Sequence, residues 1–359
     1  MRLAVAYAMA LGLWRDRALF ALTFLLPSAI FIIFAAVFSA TTSGDLSIRL
    51  GVVAPDDDVS VELVSGLRSS DIVEQLIEVA STNDMQGALI ADEFDVGIEI
   101  SRLSEEEAPT FKIYFDPAKK GAATIAEAAL AALAPPEVTA SELISPAEKI
   151  SIDGTSGGTP MAAYYAAGVG MLFLFLSGFQ SALSVIEERD AGILERIAAG
   201  PYGLRPMIDG KFLFLIAQGV VQIFTILVVA AILFKVSLSQ SPIQLLITTI
   251  AAAISASGIA LGVVGCCRSR NQAHAVGAVL ALVMGAIGGS MAPRFLMAPE
   301  VRAIGAFTPN AWGIEAFSVS IWRSGGLELL WVPWALLTAS GIFGLLIAYN
   351  VMKHTLDAR

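Results

Sequence analysis

Cysteine and histidine are almost missing from this chain, with two of each among 359 residues. The cysteines, Cys266 and Cys267, are adjacent. They therefore suit neither a disulfide framework nor a zinc site, which needs spaced ligands, and they read as small apolar filler. His274 and His354 lie near the ends of apolar runs and read as interfacial residues rather than proton relays. Charge is scarce: 15% of residues are Asp, Glu, Lys or Arg, against 56% hydrophobic. That is the composition of a polytopic membrane protein. Catalytic signatures are missing as well. No H-E-x-x-H stands in the chain, and Gly203–Lys211 ends in Gly-Lys with the wrong spacing and no following Ser or Thr for a P-loop. A membrane-embedded enzyme is thus disfavoured, and any ATP that drives the protein is bound by another polypeptide.

What is present is a set of six long apolar runs: Ala18–Phe38, Ala162–Ile186, Phe212–Phe234, Ile243–Cys267, Ala275–Ala292 and Leu329–Val351. About 20 such residues suffice to cross a bilayer as a helix. None of the runs holds an Asp, Glu, Lys or Arg. Ion-coupled transporters bury ionisable groups at membrane depth, so secondary transport is disfavoured. Neutral polar groups do occur. Ser177, Ser181 and Ser184 fall on one face of the second run with Gln180 beside them, and Gln218 and Gln222 lie four apart on the third. Such residues act as interhelical glue or line a translocation path, and both readings stand. Gly258-x-x-x-Gly262 and Gly285-x-x-x-Gly289 permit close helix packing.

The net charge of −10 is unevenly placed. Between Ser39 and Pro160 there are 22 acidic and 7 basic residues, a net of −15, so the remainder carries +5. One hydrophilic insert, residues 39–160, therefore separates residues 1–38 from the membrane remainder, 161–359. Eleven of the 15 Lys and Arg outside the insert belong to the termini and to the loops around Arg189–Lys211 and Arg268–Arg270. The positive-inside rule then places both termini in the cytoplasm and the insert outside. The first run, 21 residues long, exceeds the roughly 7–15-residue core of a signal peptide and reads as a retained span bent at Pro27. Leu3–Trp14 reads as a helix lying in the cytoplasmic interface.

Within the insert, Ser47–Ala54, Asp95–Ser101 and Phe111–Phe115 read as strands. Asp71–Ala80 has apolar residues at helical spacing, and Ala122–Ala134 reads as an Ala-rich helix stopped by Pro135-Pro136. A compact α/β module follows, with Thr155–Pro160 as a flexible linker. Asp56-Asp57-Asp58 and Glu105-Glu106-Glu107 lack EF-hand spacing and read as solvated loops, so no metal is expected.

The densest information lies between the second and third runs. The segment reads Glu187-Glu188-Arg189-Asp190-Ala191-Gly192-Ile193-Leu194-Glu195-Arg196 and continues through Pro201 to Lys211. Near the other end, Thr308-Pro309-Asn310-Ala311-Trp312 precedes the last run, with Glu315 beyond it. With the Pro-containing first span and the Leu50-Gly51-Val52-Val53 opening of the insert, these segments resemble ABC transporter permeases of the type 2 exporter class. The first matches that family's E-R-x-x-G-T-L-E-x-L pattern and the second its T-P-x-x-W. Ile193 stands where Thr is usual and Ile197 where Leu is common, and both keep the helix amphipathic.

The resemblance implies a polytopic α-helical membrane protein with six transmembrane helices and an extracytoplasmic α/β domain between the first two. It implies that loop 187–211 docks on a separate cytoplasmic ABC ATPase, which binds ATP and Mg. Glu187, Glu188, Arg189, Glu195 and Arg196 would supply polar pairs, Gly192 the turn, and Ile193, Leu194 and Ile197 the apolar contact. Segment 294–328, with Pro309, Asn310, Trp312 and Glu315, would form external interfacial or re-entrant helices. The other partners implied are a second permease copy, as homo- or heterodimer, and membrane lipids, with no nucleic acid, in a bacterial inner membrane. The apolar, neutral-polar spans suit an amphiphilic cargo. The rival reading is a membrane-anchored sensor whose external domain binds a ligand and signals through the charged loop.

Overall fold

The computed structural model describes residues 1–38, 48–55, 58–70, 73–91, 93–101, 110–115, 148–151, 160–236, 238, 241–294, 297–321 and 326–357, with residues 122, 123, 126 and 130. Most of Ala122–Ala134, the acidic residues Asp56, Asp57 and Glu105–Glu107, and 155–159 of the linker lie outside the described residues. The chain divides into two compact units, one of Met1–Ala36, Ala162–Ile321 and Gly326–Arg359, the other of Val37–Met161 and Trp322–Gly325.

The first unit is helical, and six of its helices are long and apolar enough to cross a membrane: Arg17–Val37, Met161–Asp190, Arg205–Phe234, Pro242–Cys266, Arg270–Gly288 and Leu327–His354. Each overlaps one of the six apolar runs. Local chemistry sets their ends. Asp16 is extended, and its Oδ1 accepts from the backbone N–H of Ala18 and Leu19, both at 3.0 Å. This N-cap separates the N-terminal helix, Arg2–Arg15, from the first span. Just before Pro27 that span widens into a π-helical turn, Ala21–Leu25, the adjustment expected where a proline removes a donor. Proline also opens the third and fourth spans at Pro206 and Pro242, where its missing N–H costs nothing. Ser269 caps the fifth span by accepting from Gln272 N at 3.2 Å.

The fourth and sixth spans touch through glycine. A Cβ on Gly258 would overlap the Gly341 carbonyl, and one on Gly262 or Gly344 would meet backbone of the opposite helix. Close approach of two backbones requires residues this small. Side-chain hydrogen bonds flank the contact: Ser255 with Ser340 at 2.8 Å, and Trp334 Nε1 donating to Thr248 Oγ1 at 2.8 Å.

The second unit holds a five-stranded sheet of order β2-β1-β3-β4-β5, formed by β1 (Ile48–Val53), β2 (Val73–Glu78), β3 (Val96–Ser101), β4 (Thr110–Phe115) and β5 (Glu148–Ser151). β1 runs parallel to β2 and β3, β3 antiparallel to β4, and β4 parallel to β5. Helices Asp58–Arg68 and Thr82–Ile90 make the two crossovers. One face buries Leu50, Val52, Ile98 and Ile113 with Leu67, and the other buries Met85, Leu89, Phe94 and Tyr114. The paired Gly51 and Gly97 leave room on the second face for the Phe94 ring and Met85. Buried Asp95 accepts from the Arg49 backbone N at 3.0 Å and from its guanidinium at 3.0 and 3.2 Å, locking β1 to the start of β3.

The expected helix over Asp71–Ala80 is instead the edge strand β2. Its register with β1 slips between Ile48 and Arg49, where Val73 and then Gln75 are the successive partners. An extra residue of this kind interrupts strict alternation. Val73 and Leu76 thereby reach the same core while Ile77 reaches the other, and the resulting apolar spacing imitates a helix.

Gly258→Ala is expected to destabilise the chain by at least about 2 kcal/mol, read as faster loss of monodisperse protein on heating in detergent. Gly87→Ala, where a Cβ meets open space, should leave that property unchanged. Asp95→Ala removes the carboxylate partner of a largely buried arginine and should cost about 3 kcal/mol, seen as accelerated amide exchange across β1 and β3 in the full-length chain.

Candidate functional site

The charged segment after the second span folds as a helical bracket. Helix Ser184–Asp190 continues the span through Leu183, whose backbone stays helical, residues Ala191 and Gly192 turn, and a short helix runs over Ile193–Ala198. Gly192 takes φ 68°, a left-handed conformation that costs other residues roughly 1 kcal/mol or more. The turn closes through Ala191 N donating to Glu187 O and Gly192 N donating to Arg189 O, both at 3.0 Å.

Three charged side chains tie this bracket to three different spans. Arg189 donates to the carbonyls of Cys267 at 2.9 Å and Arg268 at 2.7 Å, just past the fourth span, where free carbonyls attract a cation. Lys211, in the first turns of the third span, is 0% exposed. Its ammonium donates to Ser184 Oγ and Glu188 Oε1, both at 2.8 Å. Glu187 pairs with Arg270 of the fifth span at 3.0 Å. That last pair is largely open, and exposed pairs contribute about 1 kcal/mol or less; the first two are shielded.

Arg189 and Glu188 thus face inward. Leu194 is only 3% exposed and seats the short helix within this chain, whereas Ile193 is 40% exposed and Arg196 is open beside it. Glu195 and Ile197 are half-buried. Burial pushes the Cys267 thiol above its ordinary range, with Cys266 adding to the rise and Arg189 opposing it.

A second clasp, missed in the sequence, lies nearby. Asp209 pairs with Arg2 of the N-terminal helix and accepts from the Tyr349 hydroxyl of the sixth span. Gly210 allows that helix to approach, since a Cβ there would meet Arg2 O at 2.6 Å and Val5 at 2.7 Å. The signal was available: an acidic residue two positions before a lysine at the foot of an apolar helix.

The neutral polar residues pair across the second and third spans. Ser177 donates to Gln222 Oε1 at 2.6 Å and Ser181 to Gln218 Oε1 at 2.8 Å, all four being buried. Ser184 accepts from Lys211, and Gln180 is exposed. These rungs are worth about 0.6 kcal/mol each in a bilayer.

In the later segment, helices Pro299–Gly305 and Pro309–Ile321 precede the sixth span. The second of these is buried around nearly its whole circumference, including Pro309. Thirteen residues are too few to cross a bilayer. Asn310, fully buried, donates to Ser290 Oγ at 2.8 Å. Trp312 Nε1 donates to Ala306 O at 2.7 Å, and Glu315 is half-buried. Among the described residues no cluster of His, Cys, Asp or Glu could hold a metal.

No curated protein matches the chain. Residues 17–350 match the sequence profile described as ABC-2 family transporter protein. With nearly its whole length covered by that profile, and six helices able to span a membrane, the chain belongs to the ABC-2 family of ABC transporter permeases.

Proposed function

We propose that this permease works as the membrane subunit of an exporter powered by a separate cytoplasmic ABC ATPase, as a dimer of permeases with two ATPase copies. In this reading both termini and the bracket at 187–211 are cytoplasmic, residues 39–160 are extracytoplasmic, and the membrane is the bacterial inner membrane. Family membership supports an ATPase partner. The basic residues of the termini and of the loops at 189–211 and 268–270 support the orientation.

The single observation that carries the coupling role is the bracket's attachment. Ile193 and Arg196 face outward while Arg189, Lys211 and Glu187 bind the same bracket to the fourth, third and fifth spans. A partner pressing on the outer face would move three spans at once. Glu195 and Ile197 flank that face. Buried Leu194 and the left-handed Gly192 hold its shape. Cargo would leave the cytoplasm or inner leaflet, and the neutral rungs Ser177–Gln222 and Ser181–Gln218 would adjust as the second and third spans separate. The buried helix containing Asn310 would cap the external end of the path.

Ile193→Asp should lower co-purification of the ATPase at least about tenfold, because it puts a charge into an apolar contact. Arg189→Ala should leave the ATPase bound within about twofold yet cut permease-stimulated ATP hydrolysis roughly tenfold, through loss of two charge-assisted hydrogen bonds. Full stimulation in both variants would make the bracket irrelevant to coupling. In a background with Cys266 and Cys267 replaced by Ala, an impermeant maleimide should label Val61→Cys in intact cells and Tyr202→Cys only after permeabilisation. The reverse pattern would invert the topology.

A further inference from the structure

A cleft of about 520 Å³ lies between the N-terminal helix and the foot of the second span. Its walls are apolar, with Val5, Met9 and Leu13 on one side and Leu183, Ile197 and Phe214 among those opposite. Its polar end is acidic: Asp16, Glu187 and Glu188 line it with Arg270, and Lys211 stands behind Glu188. Three carboxylates against two cations leave a formal charge of −1.

Glu188 is the telling residue. Its side chain is 29% exposed, and Oε1 is engaged by Lys211 at 2.8 Å. Oε2 has no hydrogen-bond partner, although it is shielded from solvent. A shielded acceptor without a donor is costly, and Glu188 itself lines the cleft, so a donor entering there would satisfy this oxygen while Oε1 stays on Lys211. Exposed Gln180 adds a second polar group on the same wall. The cleft therefore asks for a cation that donates hydrogen bonds, attached to an apolar body.

We propose that this cleft binds an amphiphile bearing a primary ammonium, with the ammonium on Glu188 and the apolar chain along the N-terminal helix. The idea deepens the exporter reading by giving it a substrate or lipid class. It rests on that reading only for placing the cleft at the inner leaflet. A quaternary ammonium carries the same charge but donates no hydrogen bond, so Oε2 should discriminate between the two. The ammonium can come from a free amphiphilic amine or from an aminolipid headgroup.

The test uses the full-length chain without ATPase in phosphatidylcholine nanodiscs, labelled by a dodecylamine with a photoactivatable group on its chain. Adducts are mapped by mass spectrometry. Saturable adducts are expected in peptides covering Val5–Leu13 and Gln180–Glu188. Unlabelled dodecylammonium should compete at least about tenfold better than dodecyltrimethylammonium. The double variant Glu188→Gln, Lys211→Met removes the paired charges together, so neither is stranded, and it should lose about tenfold in labelling while remaining monodisperse after reconstitution. Replacing half the lipid by phosphatidylethanolamine separates the sources: suppressed labelling assigns the site to a headgroup, unchanged labelling to a free amine. Labelling that does not saturate, equal competition by the two ammonium ions, or an undiminished adduct in the double variant overturns the proposal. A chain that passes here but binds no ATPase would overturn the coupling reading and leave this one standing.

Discussion

One ammonium group ties together the charged end of the helical unit. Lys211 is completely enclosed at the foot of the third span, and an enclosed charge without partners costs several kcal/mol. Glu188 and Ser184 are the partners that satisfy it. The charged bracket therefore cannot slide relative to the third span without stranding a cation. Two residues earlier, Asp209 reaches Arg2 and Tyr349. Positions two apart on a helix point to different sides. The foot of the third span is thus gripped from both flanks, by the bracket on one and by the N-terminal helix and sixth span on the other.

Around this grip the interactions grade from polar to apolar. Arg189 fastens the bracket to the carbonyls beyond the fourth span, two Ser–Gln rungs link the second and third spans, and glycine contacts weld the fourth to the sixth. The ordering follows dielectric. Ionic bonds sit at the ends of the apolar runs, neutral hydrogen bonds lie within them, and bare backbone contact occurs where side chains are smallest.

Much of this could be read from residues alone. All six spans were legible because charge-free runs of that length have few other uses, and the glycine spacing at 258 and 262 anticipated a close helix pair. The bracket's position was legible too, but its facing was not. Glu188 and Arg189 look like surface charges in a list, and only the fold turns them inward onto Lys211 and two carbonyls. Leu194 and Ile193 are chemically alike, and a single turn at Gly192 decides which is buried. The α/β unit was read correctly where strands alternate, as at Val96–Ser101, and incorrectly at β2, where a bulge breaks the period. Helix Thr82–Ile90 was overlooked although Ser81 and Asp84 mark its start, with Ser81 Oγ accepting from Asp84 N at 3.2 Å.

The glycine weld has a mechanical corollary. Side-chain interfaces can relax by hopping between rotamers, but backbone against backbone has no such freedom, so the fourth and sixth spans are held firmly to each other where Gly258 and Gly262 meet Gly341 and Gly344. Any rocking of the transporter must then bend elsewhere. The π-helical turn before Pro27 in the first span and Pro333 within the sixth interrupt the regular helical ladder, and helices bend most easily at such places.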